Sequence, residues 1–154
     1  MPDVDPWWLA GVGGAVLIVL GGRWLWHLGR AVQVERAREL FRLQHERFEE
    51  LVLAAAAATG KPRGLTWVAC AITGAAVIAR DVAGGILALV PVEVRFAAEP
   101  GSDMEGNPNA TEPRPATAVF AFAKGRWHTD GRVVFNLDPA RAAATFGAAV
   151  IDGH

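Results

Sequence analysis

Ile86-Leu87-Ala88-Leu89-Val90-Pro91-Val92-Glu93-Val94-Arg95-Phe96 is the stretch that decides the fold. It is apolar and rich in β-branched residues, so it reads as one long strand. From Val90 onward the pattern alternates. Val90, Val92, Val94 and Phe96 share one face, while Glu93 and Arg95 hold the other, so this half has a wet side. Pro91 has no N–H to give to a ladder, which predicts an edge strand or a bulge.

The segments before and after this strand have the same character. Leu65 to Ile72 predicts a strand, Thr73-Gly74 a bulge or turn, and Ala75 to Arg80 a second strand. Asp81 to Gly85 is a hairpin connection. A membrane-spanning alternative for residues 65–79 is disfavoured by its length of roughly 15 residues and by Arg80-Asp81, which block extension. Residues 98–115 form a long polar loop, expected to be mobile. Ala116 to Ala123 then puts Phe120 and Phe122 on one face. Lys124-Gly125 is a tight turn, and Arg126 to Phe135 returns antiparallel with a bulge at Asp130-Gly131. Asp138 and Pro139 open a short helix over 138–149, as N-cap and N1 residues.

Upstream of the sheet, residues 30–58 have a helical pattern. Val34, Phe41, Phe48 and Ala55 recur every seven residues, and Ala37, Gln44, Leu51 and Ala58 fill a second seam position. Thr59-Gly60-Lys61-Pro62 ends the helix. The apolar stripe is read as covering the chain's own sheet, because Gln44 and the small Ala37 and Ala55 suit a coiled coil poorly. A homo-oligomer or protein partner through 30–58 is the competing use.

The N-terminal run Trp7-Trp8-Leu9-Ala10-Gly11-Val12-Gly13-Gly14-Ala15-Val16-Leu17-Ile18-Val19-Leu20-Gly21-Gly22 has no charge. Continued through Arg23 to Trp24, Leu25 and Trp26, it reaches the length of about 20 residues that crosses a bilayer. The chain has 6 Trp and no Tyr. Four of the tryptophans lie at the two ends of this run, as in interfacial aromatic belts. Trp7, Trp8, Arg23, Trp24, Trp26 and Arg30 are therefore the expected interface residues of a single transmembrane helix over 7–28. Residues 1–6 form a short tail. They carry Asp3 and Asp5 and no basic residue, which argues against a signal peptide. Arg23, Arg30, Arg36, Arg38 and Arg42, against Glu35 and Glu39, direct the C-terminal side to the cytoplasm. The bilayer is then the first expected partner.

With the anchor removed, residues 29–154 leave about 125 residues, enough for one domain with a hydrophobic core. The expected class is α+β: a long amphipathic helix on a curved antiparallel sheet of four or five strands, with a short C-terminal helix. This element order resembles the cystatin-like and NTF2-like folds. The resemblance implies a scaffold that serves binding modules and enzymes alike, and rests on no motif.

The chemistry is sparse. Net charge is -1, so nucleic acid is not an expected partner. Cys70 is the single cysteine and sits among Val68, Ala69, Ala71 and Ile72, as an inert core thiol would. His128 and Asp130 are two apart on one strand and so on one face, where a carboxylate-oriented imidazole is a general-base arrangement. With Glu93 and Arg95 they are the polar groups available to a ligand pocket between sheet and helix. The oxygen-rich run from Asp103 to Asn109 departs from calcium-loop spacing, with Gly106 at the fourth position. No metal, cofactor or catalytic residue is expected. The expected function is a non-enzymatic interaction or self-association module at the cytoplasmic membrane face, with a small-ligand or enzymatic NTF2-like pocket as the alternative.

Overall fold

The computed structural model describes residues 6–60 and 62–151, with side chains for all of these except residues 6–13, 27, 45 and 46. The expected tail falls almost wholly outside the described residues, and so do the side chains of Trp7, Trp8 and His45. The chain divides into two compact units, Met1–Arg36 and Ala37–His154.

Helix α1 runs from Pro6 to Leu43, and α2 from His45 to Thr59. The expected membrane helix over 7–28 and the expected helix from residue 30 are one continuous helix, which passes through Gly29. One glycine in a helix interior costs only about 1 kcal/mol, too little to force a break there. The break comes at Gln44, whose backbone (φ -113, ψ 18) leaves the helical region. This single-residue reset lets Phe41 and Phe48 meet with ring centroids 4.6 Å apart. It also ends the seven-residue repeat. Beyond it Phe48, Val52 and Ala56 are buried, while Leu51 and Ala58 are exposed. The spacing has become four, the period of an uninterrupted α-helix packing on a sheet.

Among the described residues seven strands, against the expected four or five, form one antiparallel sheet: β1 Leu65–Ile72, β2 Val77–Arg80, β3 Ile86–Ala98, β4 Arg114–Ala123, β5 Arg126–His128, β6 Val133–Phe135 and β7 Ala149–Val150. The path is β5-β4-β3-β2-β7, with β1 also on β3 and β6 also on β4. Residues 65–79 are therefore two strands joined by a short connection, and form no membrane helix. The expected 126–135 strand is two pieces, both paired to β4, with Thr129 to Arg132 looping between them. Pro91 is not on an edge. It lies in the central strand, opposite Thr117, where the neighbour on the other side changes from β2 (up to Leu89) to β1 (from Val92). A residue without N–H fits that gap, and the Pro91 carbonyl still accepts from Thr73 N at 2.9 Å.

Both faces of β3 are covered over Ile86–Val90. The even-numbered face meets the helices. Ala88 lies opposite Phe120, and the small residue makes room for the ring. Phe48 stands 4.9 Å from Phe120, and Phe41 stands edge-on to Trp127 at 5.4 Å. The buried indole N–H of Trp127 donates to the Ala37 carbonyl at 2.9 Å. The odd-numbered face carries a second, smaller core. Here Ala79 and Leu89 pack against Ala142, Ala143 and Ala148 of the α3 region, α3 being Pro139–Thr145. Asp138 caps α3 as expected, its side chain accepting from Arg141 N. The domain unit is thus α+β, with helices packed on an antiparallel sheet and α3 on the sheet's other side.

The polar segment between β3 and β4 is laced by its own bonds. Ser102 Oγ donates to the Gly64 carbonyl at 3.1 Å, and Gly101 N donates to Glu105 Oε2 at 2.6 Å.

Candidate functional site

A pocket between α2 and the sheet requires that space to be open at its centre. Phe41, Phe48, Phe120, Phe122 and Trp127 occupy that centre, while a cavity of about 250 Å³ remains at the edge of the helix–sheet interface, between Arg38, Phe41 and Arg42 and the segment 74–78. Trp67 lies apart from these, its ring tilted against Phe96 (centroids 4.8 Å apart) and Phe135 (6.2 Å).

The polar cavity lies on the opposite, α3-facing side of the sheet. It is a groove of about 320 Å³ lined by Leu87, Val119, Ala121 and Phe146 below, with Asp81, His128, Thr129, Asp130 and Arg132 around it. The sequence places His128 and Asp130 on one strand; in the structure β5 ends at His128 and Asp130 lies in the loop that follows, and both line the groove. The structure does not make them a dyad. Asp130 Oδ1 accepts from Arg132 N at 3.1 Å, and its Oδ2 lies 3.7 Å from the Arg132 guanidinium. Thr129 is also committed, donating its hydroxyl to the Val119 carbonyl at 2.8 Å. Asp81 accepts from Gly85 N at 2.7 Å. A nucleophile needs an adjacent base, and the groove's hydroxyl and carboxylates are engaged elsewhere.

Glu93 and Arg95 do not join this site. They pair with each other at 3.2 Å on the surface. Glu93 is opposite Pro115 of β4 and His128 opposite Ala121, so roughly 20 Å of strand separates them. Asp81, Thr129, Arg132 and Phe146 are groove residues that sequence patterning does not single out. Three lie in or beside turns, where no periodicity marks a face, and Phe146 follows α3. Among the described residues no group of three or more His, Cys, Asp or Glu is placed to hold a metal ion. Cys70 is buried, and desolvation with the nearby Glu49 carboxylate pushes its thiol up to about 11. That keeps it protonated and unreactive at neutral pH.

The second notable surface belongs to α1. Val16, Leu17, Ile18, Val19 and Leu20 are all exposed, between 50% and 76%. Successive helical residues turn by about 100°, so five in a row cover every side of the helix. Trp24, Leu25, Trp26 and Leu28 continue the exposed apolar surface. Arg23 is exposed, and the Arg30 guanidinium lies 3.9 Å over the Trp26 ring. Among the described residues no helix is long and apolar enough to cross a membrane. The apolar run of the sequence starts earlier, at Trp7, and residues 7–13 have side chains outside those described.

Comparison of the chain with protein-family models, with curated proteins and with solved structures finds no match.

Proposed function

We propose that this chain is a single-pass membrane protein whose α+β domain acts as a non-enzymatic interaction module held at the cytoplasmic face. The observation that carries the membrane reading is the all-round exposure of Val16–Leu20. A helix face meant for one partner has a stripe; a helix apolar on every side needs apolar surroundings on every side. Lipid supplies them, and the exposed Trp24 and Trp26 with Arg23 and Arg30 suit the boundary where the lipid ends. The interaction reading rests on the engaged state of the groove's polar groups and on the surface left open. Stripe residues 37–56 are spent on the domain's own core, so a partner uses other groups, such as Leu43, Val68 and Val82, the last 90% exposed on the β2–β3 turn.

Alkaline carbonate extraction of membranes from cells making the full chain tests the anchor. The protein is expected in the pellet, and a Leu17→Lys/Val19→Lys variant in the supernatant. Release of the wild type would sink the membrane reading. Crosslinking in the same membranes tests the module: capture of monomer alone, with no partner band, would count against it.

A second reading is favoured by the groove itself, where His128, Asp130 and Arg132 ring an apolar floor. It makes the domain a small-ligand binder. A fragment screen by thermal shift decides it: hits that bind wild type and equally an His128→Ala/Arg132→Ala variant would rule the groove out.

A further inference from the structure

We propose that Val16, Val19, Arg23, Trp26 and Arg30 of α1 form a binding track for one phospholipid with an anionic headgroup. The inference deepens the membrane reading above and rests on it. The five residues fall at spacings of three and four, which places them on one face of the helix. Arg23 and Arg30 are about 10 Å apart along the axis, with the Trp26 indole between them. The Arg30 guanidinium stacks over that indole at 3.9 Å. A guanidinium held over an aromatic ring can keep in-plane N–H donors for a phosphate, which is the use proposed for it.

Beside the track stand Gly22 and Gly29. A Cβ at either position would meet nothing within 4 Å, so the flank is open to a headgroup. From Pro6 to Val34 the sequence has no Asp or Glu to repel one. The apolar half, Val16 and Val19, is exposed and continues the same face, where an acyl chain would lie. A free phosphate has no use for that half; a lipid uses both. A zwitterionic headgroup would bring its own cation against the arginines, so selection falls on the anionic class. Each arginine near a charged surface is expected to contribute about fivefold to that preference.

The test uses the full chain with Trp7, Trp8 and Trp24 changed to Phe, reconstituted in nanodiscs of phosphatidylcholine and phosphatidylglycerol in equal parts. Either lipid carries bromine near the headgroup end of its acyl chains, and quenching of tryptophan fluorescence is read. Brominated phosphatidylglycerol is expected to quench several-fold more than brominated phosphatidylcholine. The difference should vanish in an Arg23→Gln/Arg30→Gln variant and persist in Arg47→Gln, whose site lies on α2. Equal quenching by the two lipids in the wild type overturns the headgroup site and leaves the anchor standing. No quenching by either overturns the anchor, and the headgroup site with it.

Discussion

Gly131 shows how one residue can set a close approach that no periodicity announces. Its φ is +81, a region L side chains rarely adopt, and a Cβ there would fall 2.4 Å from the Ala55 backbone carbonyl carbon. The loop between β5 and β6 therefore lies directly on the α2 backbone. Gly131→Ala is expected to cost roughly 2–4 kcal/mol, since neither backbone can yield cheaply. A urea midpoint unchanged from wild type would contradict this packing. The sequence marks Asp130-Gly131 as a bulge, where the structure has a loop, and carries no sign of what that loop touches. Cys70 is the opposite case, since its apolar neighbours predict the buried thiol. Its folded pKa is raised from 9.0 to about 11, so the folded state holds the proton more tightly. The associated stability is fully present below pH 9 and is lost as pH rises through about 11. The alkylation rate of the folded protein should therefore climb with a midpoint near 11. A midpoint near 9 would mean the thiol is solvated.

At the scale of elements, β3 was legible and α2 only partly so. The alternation Val92–Phe96 marks a strand with one wet face; the two-sided cover of Ile86–Val90, by the helices and by the α3 core, is a finding of the structure. In α2 the seven-residue repeat set by Phe41 and Phe48 suggested Leu51 and Ala55 as the next buried pair. Helical geometry after the Gln44 reset buries Val52 and Ala56. Adjacent residues 51 and 52 separate the two patterns. Val52→Asp places a charge in the core and is expected to cost about 3–5 kcal/mol or prevent folding. Leu51→Asp sits at an exposed position and should cost less than about 1 kcal/mol. The reverse ranking in thermal unfolding would restore the seven-residue pattern. Pro91 was legible as a ladder breaker but not as a central one. Its place depends on where β2 gives way to β1, which is a property of strands distant in sequence.

For the molecule as a whole, the order of helix, strands and short helix follows from local pattern, whereas the sheet path does not. Placement of β1 and β2 on the same edge of β3, and of the two-residue β7 beside β2, depends on non-local pairing that no window of sequence contains. The site divides the same way: His128 is placed by its pairing with β4, while Asp81, Asp130 and Arg132 reach the groove through turns and loops. What the whole chain does carry openly is a charge asymmetry about its apolar run. No Lys or Arg precedes Trp7; Arg23, Arg30, Arg36, Arg38 and Arg42 follow within the distance over which basic residues set orientation. If the run spans the bilayer, the domain faces the cytoplasm. An Asp103→Cys label in a Cys70→Ser background reads this directly, because Asp103 is exposed on the β3–β4 loop. A membrane-impermeant maleimide should leave intact cells unlabelled and modify the protein fully after lysis. Full labelling of intact cells would reverse the topology, put the arginine-rich flank outside, and remove the cytoplasmic-face module with it.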